Sequence, residues 1–379
     1  MRKVKFVSVF VLLALLLGVP LNVGVAQSPS PAQLQPTQKT PQGLDEARQS
    51  ALEWIIEASQ HAPGMEIWNG ATVGEYTQFV DLEKQPVSIV FSVVKGQEEV
   101  GYVTVDVQSG YYIVLEAGLS PSPARNVVQA REIASQKLKA SPSNMEVTLL
   151  HLGPMAYLAQ FTVRTKEGLK NMTIHLGSLE EVPPSALKQI PPEIWKDRLR
   201  RRKAVATPSY GGHTISGVPY YIMDDAPWLT NHCGPTSGAN VYGYWKDHGF
   251  PNLWPGSVSA LIGALYQYMG TNSGHPGTYV FEYADGMESY ADVHGYPGTS
   301  TYTIIGLSYD WTAIKTELNA NRPMGVLDWD RLHWVTGTGW YEGSNYYIIT
   351  HNGWDRYQHY LNYTVHWDDL DEVFVRPSS

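Results

Sequence analysis

The chain has 379 residues, 43% of them hydrophobic and 17% charged, with a formal net charge of -9 at pH 7. That length exceeds what one small core organises and is ordinary for two globular units. From Ala204 onward 6 Lys and Arg stand against 17 Asp and Glu, while residues 1–203 carry 21 against 19. The C-terminal half is therefore acidic and repels phosphate backbones, which argues against nucleic acid as a partner.

At the N-terminus, Arg2, Lys3 and Lys5 precede an apolar run from Phe6 to Leu17, with Gly24 and Ala26 just ahead of Gln27. This is the pattern of a secretory signal peptide over residues 1–26, cut after Ala26. The run is shorter than the roughly 20 residues a bilayer span needs, and no later stretch is apolar enough to span. The expected mature chain is secreted, extracellular or held at the cell surface, with no membrane span after cleavage. Residues 27–43, rich in Pro, Ser and Gln, cannot bury a core and read as a disordered tether.

Residues 44–185 read as a small α+β domain. Leu44, Ala47, Ala51, Trp54, Ile55 and Ala58 recur at helical spacing, with Asp45 and Glu46 near the positive end of the helix dipole. The runs PVSIVFSVV, VGYVTVDV and YYIVLEA then predict an antiparallel meander. The order repeats weakly: a second helix over Pro123–Lys139 precedes MEVTLLHL, MAYLAQFTV and LKNMTIHL. The histidines here, His61, His151 and His175, are scattered and read as surface or strand residues. A helix-plus-sheet unit ahead of a secreted enzyme reads as an inhibitory or chaperoning prosegment, with a cell-surface binding module as the rival.

Residues 186–210 combine prolines with a basic cluster ending at Lys203, which predicts an exposed linker open to proteolysis. Beyond it, residues 211–379 hold 18 of the 24 tyrosines and 9 of the 12 tryptophans of the chain, which marks a second domain built on aromatic packing. This second domain also holds Cys233, the only cysteine. Exported proteins usually pair their cysteines, so a single one points to a thiol kept for chemistry or to an intermolecular disulfide.

The surroundings of Cys233 favour chemistry. Pro227 and Asn231 break regular structure before it, and Ala239, Val241, Tyr242 and Trp245 give a helical face after it that ends at Gly249. Pro235 fits only a first turn. Cys233 thus belongs at a helix N-terminus, where backbone N–H groups and the dipole stabilise a thiolate. A thiolate nucleophile needs a general base. His333 is the candidate: the strand Met324–Trp329 turns at Arg331 and a second strand starts with the histidine. His232 reads as a flanking residue. The strand NYYIITHNGW is expected antiparallel to the His333 strand, which brings Asn352 within reach as orienter of the imidazole. Asp328 and Asp355 are fallbacks. No zinc-peptidase, paired-cysteine or EF-hand pattern is present, so no metal and no cofactor are implied.

The blocks NHCGPTSGANVYGYW with GFPNL, RPMGVLDWDRLHWVTGTGWY and YYIITHNGW resemble the C-thirty-nine-like group of papain-fold cysteine peptidases, related to the peptidase domain of bacteriocin-processing exporters. The resemblance covers roughly Val218 to Pro377. It implies Cys233 as nucleophile, His333 as base and Asn352 as orienter, where that family usually has Asp. The family also carries a glutamine oxyanion donor shortly after a Val-Pro pair, whereas VPYYIMDDAPW offers Met223 and Asp224. Asn231 and Asp224 are then the side chains left for that place. Asn231 could donate, an ionised Asp224 would oppose an oxyanion, and the backbone N–H of Cys233 could contribute.

The expected architecture is α+β: a papain-like cysteine peptidase domain with Cys on its N-terminal helix and His and Asn on an antiparallel sheet, preceded by the smaller helix-plus-meander domain. The expected activity is a secreted, zymogen-like cysteine peptidase that acts on a peptide or protein substrate through a thioester and is autoinhibited by the N-terminal domain. An amidase or transpeptidase on the same fold, and a non-catalytic surface or binding protein, are the alternatives.

Overall fold

The computed structural model describes residues 41–166, 168–187, 191–202, 210–306, 309–328 and 333–378. The expected signal peptide, the tether up to residue 40, Lys203, Trp329 and the turn at Arg331 lie outside the described residues. The fold is mixed α+β, with eight α-helices among the described residues and one large mixed sheet.

The N-terminal half runs α1 (Leu44–His61), β1 (Thr72–Val80), β2 (Pro86–Lys95), β3 (Glu98–Asp106), β4 (Val114–Gly118), α2 (Val127–Leu138), β5 (Glu146–His151), β6 (Tyr157–Thr165), β7 (Gly168–His175) and the short β8 (Glu181–Val182). Helix α1 buries the expected stripe, Ala47, Ala51, Trp54, Ile55 and Ala58. Strand β1 had no clear sequence signal, because Gly74 and polar residues interrupt it and only Thr77 and Phe79 are buried. The expected second helix begins later than its sequence pattern, since Pro123–Asn126 forms a 3-10 turn before α2.

The chain continues with α3 (Pro192–Arg202) and β9 (Gly211–Thr214), then α4 (Cys233–Trp245), α5 (Val258–Tyr268), α6 (Val280–Val293), β10 (Ser300–Ile304), α7 (Trp311–Asn319), β11 (Met324–Asp328), β12 (His333–Glu342), β13 (Tyr346–His351), β14 (His359–Asn362), α8 (Tyr363–His366) and β15 (Leu370–Arg376). No helix among the described residues is long and apolar enough to cross a membrane.

The strand order is β10-β15-β11-β12-β13-β14-β4-β3-β2-β1-β5-β6-β7-β8, with β9 paired to β12. Neighbours are antiparallel except β1 and β5, which are parallel. The ladder crosses from one half of the chain to the other at β14 and β4, where His359, Tyr360 and Leu361 face Gly118, Ala117 and Glu116. A core is shared across the same seam: Trp54 of α1 packs edge-on against Tyr360 and tilted against Tyr347, at centroid distances of 5.9 and 5.6 Å. Gln358 Nε2 also donates to Pro63 O at 2.8 Å, just past α1.

Gly118 sits on this seam with no spare volume. A Cβ there would lie 2.6 Å from His359 Nδ1 and 2.7 Å from a ring carbon of Tyr102. Overpacking of this kind costs about 1–3 kcal/mol. Gly118→Ala is therefore expected to lower stability by that amount in a denaturant melt, and a variant as stable as the parent would show that the seam is slack.

Candidate active site

Helix α4 begins at Cys233, with His232 as its N-cap and Pro235 in its first turn. It packs flat on β12: Ser237 Oγ donates to Val335 O at 2.9 Å, and a Cβ on Gly234 would meet Thr278 at 2.9 Å and Trp334 at 3.2 Å. Trp334 is itself fixed, stacked on Tyr283 at 4.0 Å and donating its indole N–H to Thr278 O at 2.8 Å. Cys233 is buried and in no disulfide, and the backbone N–H groups of Trp334, Gly234 and Cys233 all point toward its sulfur.

The helix start is where the sequence puts it, but the expected depression of the thiol pKa is not what this structure shows. Burial pushes the thiol up to about 11; the converging N–H groups pull the other way, and the nearby Glu180 carboxylate adds to the rise. Desolvation of the charged form outweighs the local dipoles.

His333, the first residue of β12, is buried beside Trp334. Its Nε2–H donates to the backbone carbonyl of Asn352 at 2.9 Å, and its ring stacks on Trp354 at a centroid distance of 3.9 Å. That bond fixes the neutral tautomer with Nδ1 as the basic nitrogen. Burial lowers the imidazole pKa to about 3, helped by the neighbouring His175 and opposed by the bond to Asn352.

Asn352 is thus next to His333, but through its main chain. Its side-chain Oδ1 accepts from Trp354 N at 2.9 Å and Asp355 N at 3.1 Å, closing the tight loop after β13. Its Nδ2 faces Asp355 Oδ2 at 3.2 Å and His359 Nε2 at 2.9 Å. Asp355 in turn lies 2.9 Å from His359 Nε2. Burial disfavours charge on both, yet their mutual attraction wins: Asp355 is held below its ordinary value and His359 above it. Asp328, the other fallback, pairs with His333 across β11 and β12 as a strand partner.

The two expected oxyanion side chains are both exposed. Asn231 is exposed, has a φ of 48° and donates to Asn272 Oδ1 at 3.2 Å, joining two surface loops. Asp224 is exposed in the 3-10 turn Met223–Asp225 and acts on His232 through its charge.

Three contributors come from the N-terminal half, in the turn between β7 and β8. His175 Nδ1 accepts from the backbone N–H of Gly177 and of Ser178, each at 3.1 Å, so the turn folds around its ring. The same ring lies 4.5 Å from that of Trp354. Gly177 touches Trp354 so closely that a Cβ would come within 2.5 Å of the indole. Glu180, at the far end of the turn, is the carboxylate that raises the thiol pKa. Sequence reasoning passed over His175, Gly177 and Glu180, because nothing local marks a strand turn that reaches a site more than 50 residues away. Trp354 was legible in HNGW, two residues after Asn352.

No family model matches this chain, and no curated protein matches it. Among solved structures it is similar to a mutant of fragment 39–359 of Prevotella intermedia prointerpain A, with 14% identity, 79% of this chain and 98% of that chain covered, and a TM-score of 0.33. A likeness at that level carries no argument about activity, which has to come from the site.

The buried histidines have a consequence for stability. His333 is lowered to about 3 and His351 to about 4, both by burial first. An unfolded histidine titrates near 6.5, so between those values the unfolded chain binds more protons than the folded one and stability rises with pH. Asp106, raised to about 6 by burial, works in the opposite sense over the same range, so the test is the difference between two chains: stability is expected to fall less, or rise more, in His351→Gln than in the parent as pH drops from about 6.5 toward 4. The same pH slope in both chains would contradict a buried neutral His351.

Proposed function

We propose that this chain is a secreted cysteine-type peptidase held latent by its N-terminal half. The observation that carries the reading is the seating of the Cys233 thiol, at a helix N-terminus, against the strand start that bears His333. The N-terminal sequence, read as a signal peptide, supports export.

In this reading His333 Nδ1 takes the thiol proton while Nε2–H stays on the Asn352 carbonyl. The thiolate attacks the scissile carbonyl, and the backbone N–H groups around Cys233 receive the developing oxyanion. The imidazolium then protonates the leaving amine, leaving a thioester that water hydrolyses with His333 as base. Asn352 serves through its main chain, and Trp354 shields the bond and holds the ring.

Latency follows from the β7–β8 turn. It lies on Trp354, places His175 where a positive charge on His333 is opposed, and sets Glu180 against ionisation of the thiol. Both partners of an ion pair are thereby discouraged. The raised thiol and lowered imidazole also suit the alternative, a non-catalytic surface or binding protein on the same scaffold. Amidase or transpeptidase chemistry would use the same groups.

Replacing Gly177–Leu179 by two glycines is expected to raise hydrolysis of a denatured-protein substrate at least about 10-fold, a shift of about 1.4 kcal/mol in favour of the open site, and adding Cys233→Ala should abolish it. Hydrolysis that survives Cys233→Ala would remove the thiol from the chemistry, and no hydrolysis from the shortened variant would favour the binding protein.

A further inference from the structure

The segment Pro219–Asp225 is bonded along both edges. Toward the thiol helix, Asn240 of α4 accepts from Tyr221 N at 2.7 Å and donates to Tyr221 O at 3.1 Å. His232, the N-cap of α4, donates from Nε2 to Met223 O at 2.9 Å. Toward the histidine loop, Met223 N–H donates to Gly353 O at 2.8 Å. Arg356 reaches Tyr220 O at 2.5 Å and Asp225 at 2.7 Å, and His351 donates to Pro219 O at 2.9 Å. Gly353 lies between Asn352, whose carbonyl holds His333, and Trp354, on which His333 stacks.

A short path therefore runs from the nucleophile to the base: Cys233, its neighbour His232, Met223, Gly353, and the loop that grips His333. Of its members His232 is the unusual one. It is 3% exposed, and its Nδ1 is buried without a hydrogen-bond partner among the described residues. A carbonyl can only accept, so Nε2 carries the proton and Nδ1 has none. A second proton would leave a buried N–H with nothing to bond, a costly state. The ring is thus held in one neutral form, suited to a strut and unsuited to proton transfer.

We propose that His232 is a positioning residue, which sets the spacing of the Cys233 thiol and the His333 imidazole by tying the α4 N-cap through Met223 to Gly353. The proposal rests on the cysteine-peptidase reading. Its physical basis is that small misplacements of reacting groups cost up to about 100-fold in rate without loss of substrate binding.

Four variants, each made in the full chain with Gly177–Leu179 replaced by two glycines so that the site is open, separate the role from general stability; that opened chain is the parent. His232→Leu removes the donor, and His232→Gln can restore an N–H to Met223 O. Met223→Pro deletes the N–H that Gly353 O accepts, and Met223→Ala, expected to stay within about 3-fold of the parent, controls for the loss of the partly buried Met223 side chain. Proline fits there, since Met223 opens a 3-10 turn and the preceding Ile222 is extended, with φ -121° and ψ 164°. On a peptide substrate, His232→Leu and Met223→Pro are expected to lower kcat about 10- to 100-fold with KM changed less than about 2-fold, and His232→Gln to stay within about 3-fold of the parent. If His232→Leu does not fold, Met223→Pro against the parent carries the same test. Near-parental kcat in Met223→Pro, or equal losses in His232→Leu and His232→Gln, overturns the proposal. If the chain with the opened turn itself shows no Cys233-dependent hydrolysis, the peptidase reading fails separately. The strut is then read from the alkylation rate of Cys233, expected to change at least about 5-fold in the Leu and Pro variants and not in the Gln variant; unchanged rates overturn it.

Discussion

The ladder between β4 and β14 is the constraint on which the rest of the structure depends. It continues one sheet through both halves of the chain, so the N-terminal half forms part of the wall behind the histidine loop. Buried polar groups reinforce the seam. Glu116 of β4 accepts from Tyr102 at 3.0 Å and Met155 N at 2.9 Å, and Tyr102 lies 3.4 Å from His359 of β14, the partner of Asp355. Such networks stabilise only when every member is satisfied, and then they specify one arrangement. With β4 fixed against β14, the other strands of the N-terminal half are carried into place, and the β7–β8 turn comes to rest on Trp354.

That placement decides the electrostatic state of the site. A helix N-terminus and three converging N–H groups would by themselves favour a thiolate. Cys233 is nevertheless raised to about 11, because it is cut off from water and has a carboxylate nearby. His333 is lowered to about 3 by the same exclusion of water. The two shifts have one origin and keep both groups neutral. In the latent-peptidase reading proposed above, withdrawal of the β7–β8 turn is the movement that relieves both shifts while α4, β12 and β13 stay in place.

Much of this framework was legible in the sequence. The helical stripe of α1, the meander β2 to β4, the helix opening at Cys233 and the strand opening at His333 all follow from local periodicity and turn residues. The features that escaped are those set by partners distant in sequence. Strand β1 is an indistinct sequence that becomes a strand because β2 and β5 flank it. Asn352 was chosen for its side chain, yet the tight turn around Gly353 draws that side chain inward and leaves the carbonyl to hold the imidazole. Asn231 looked like a donor beside the thiol, but a left-handed backbone directs it to Asn272. His232 read as a mere neighbour of Cys233 because its partner, Met223, lies in a short 3-10 turn that has no periodic sequence signal. Sequence reading placed Cys233 at the start of its helix and His333 at the start of its strand, and missed how the second half of each bond is supplied.

The central claim is that the thiol is buried and neutral in the intact chain, and the pH dependence of Cys233 alkylation by iodoacetamide tests it most directly. The account predicts a rate that is slow at neutral pH and still climbing through pH 9, toward an inflection near 11. A rate that has already levelled off below about pH 7, as a pre-formed thiolate would give, would contradict it.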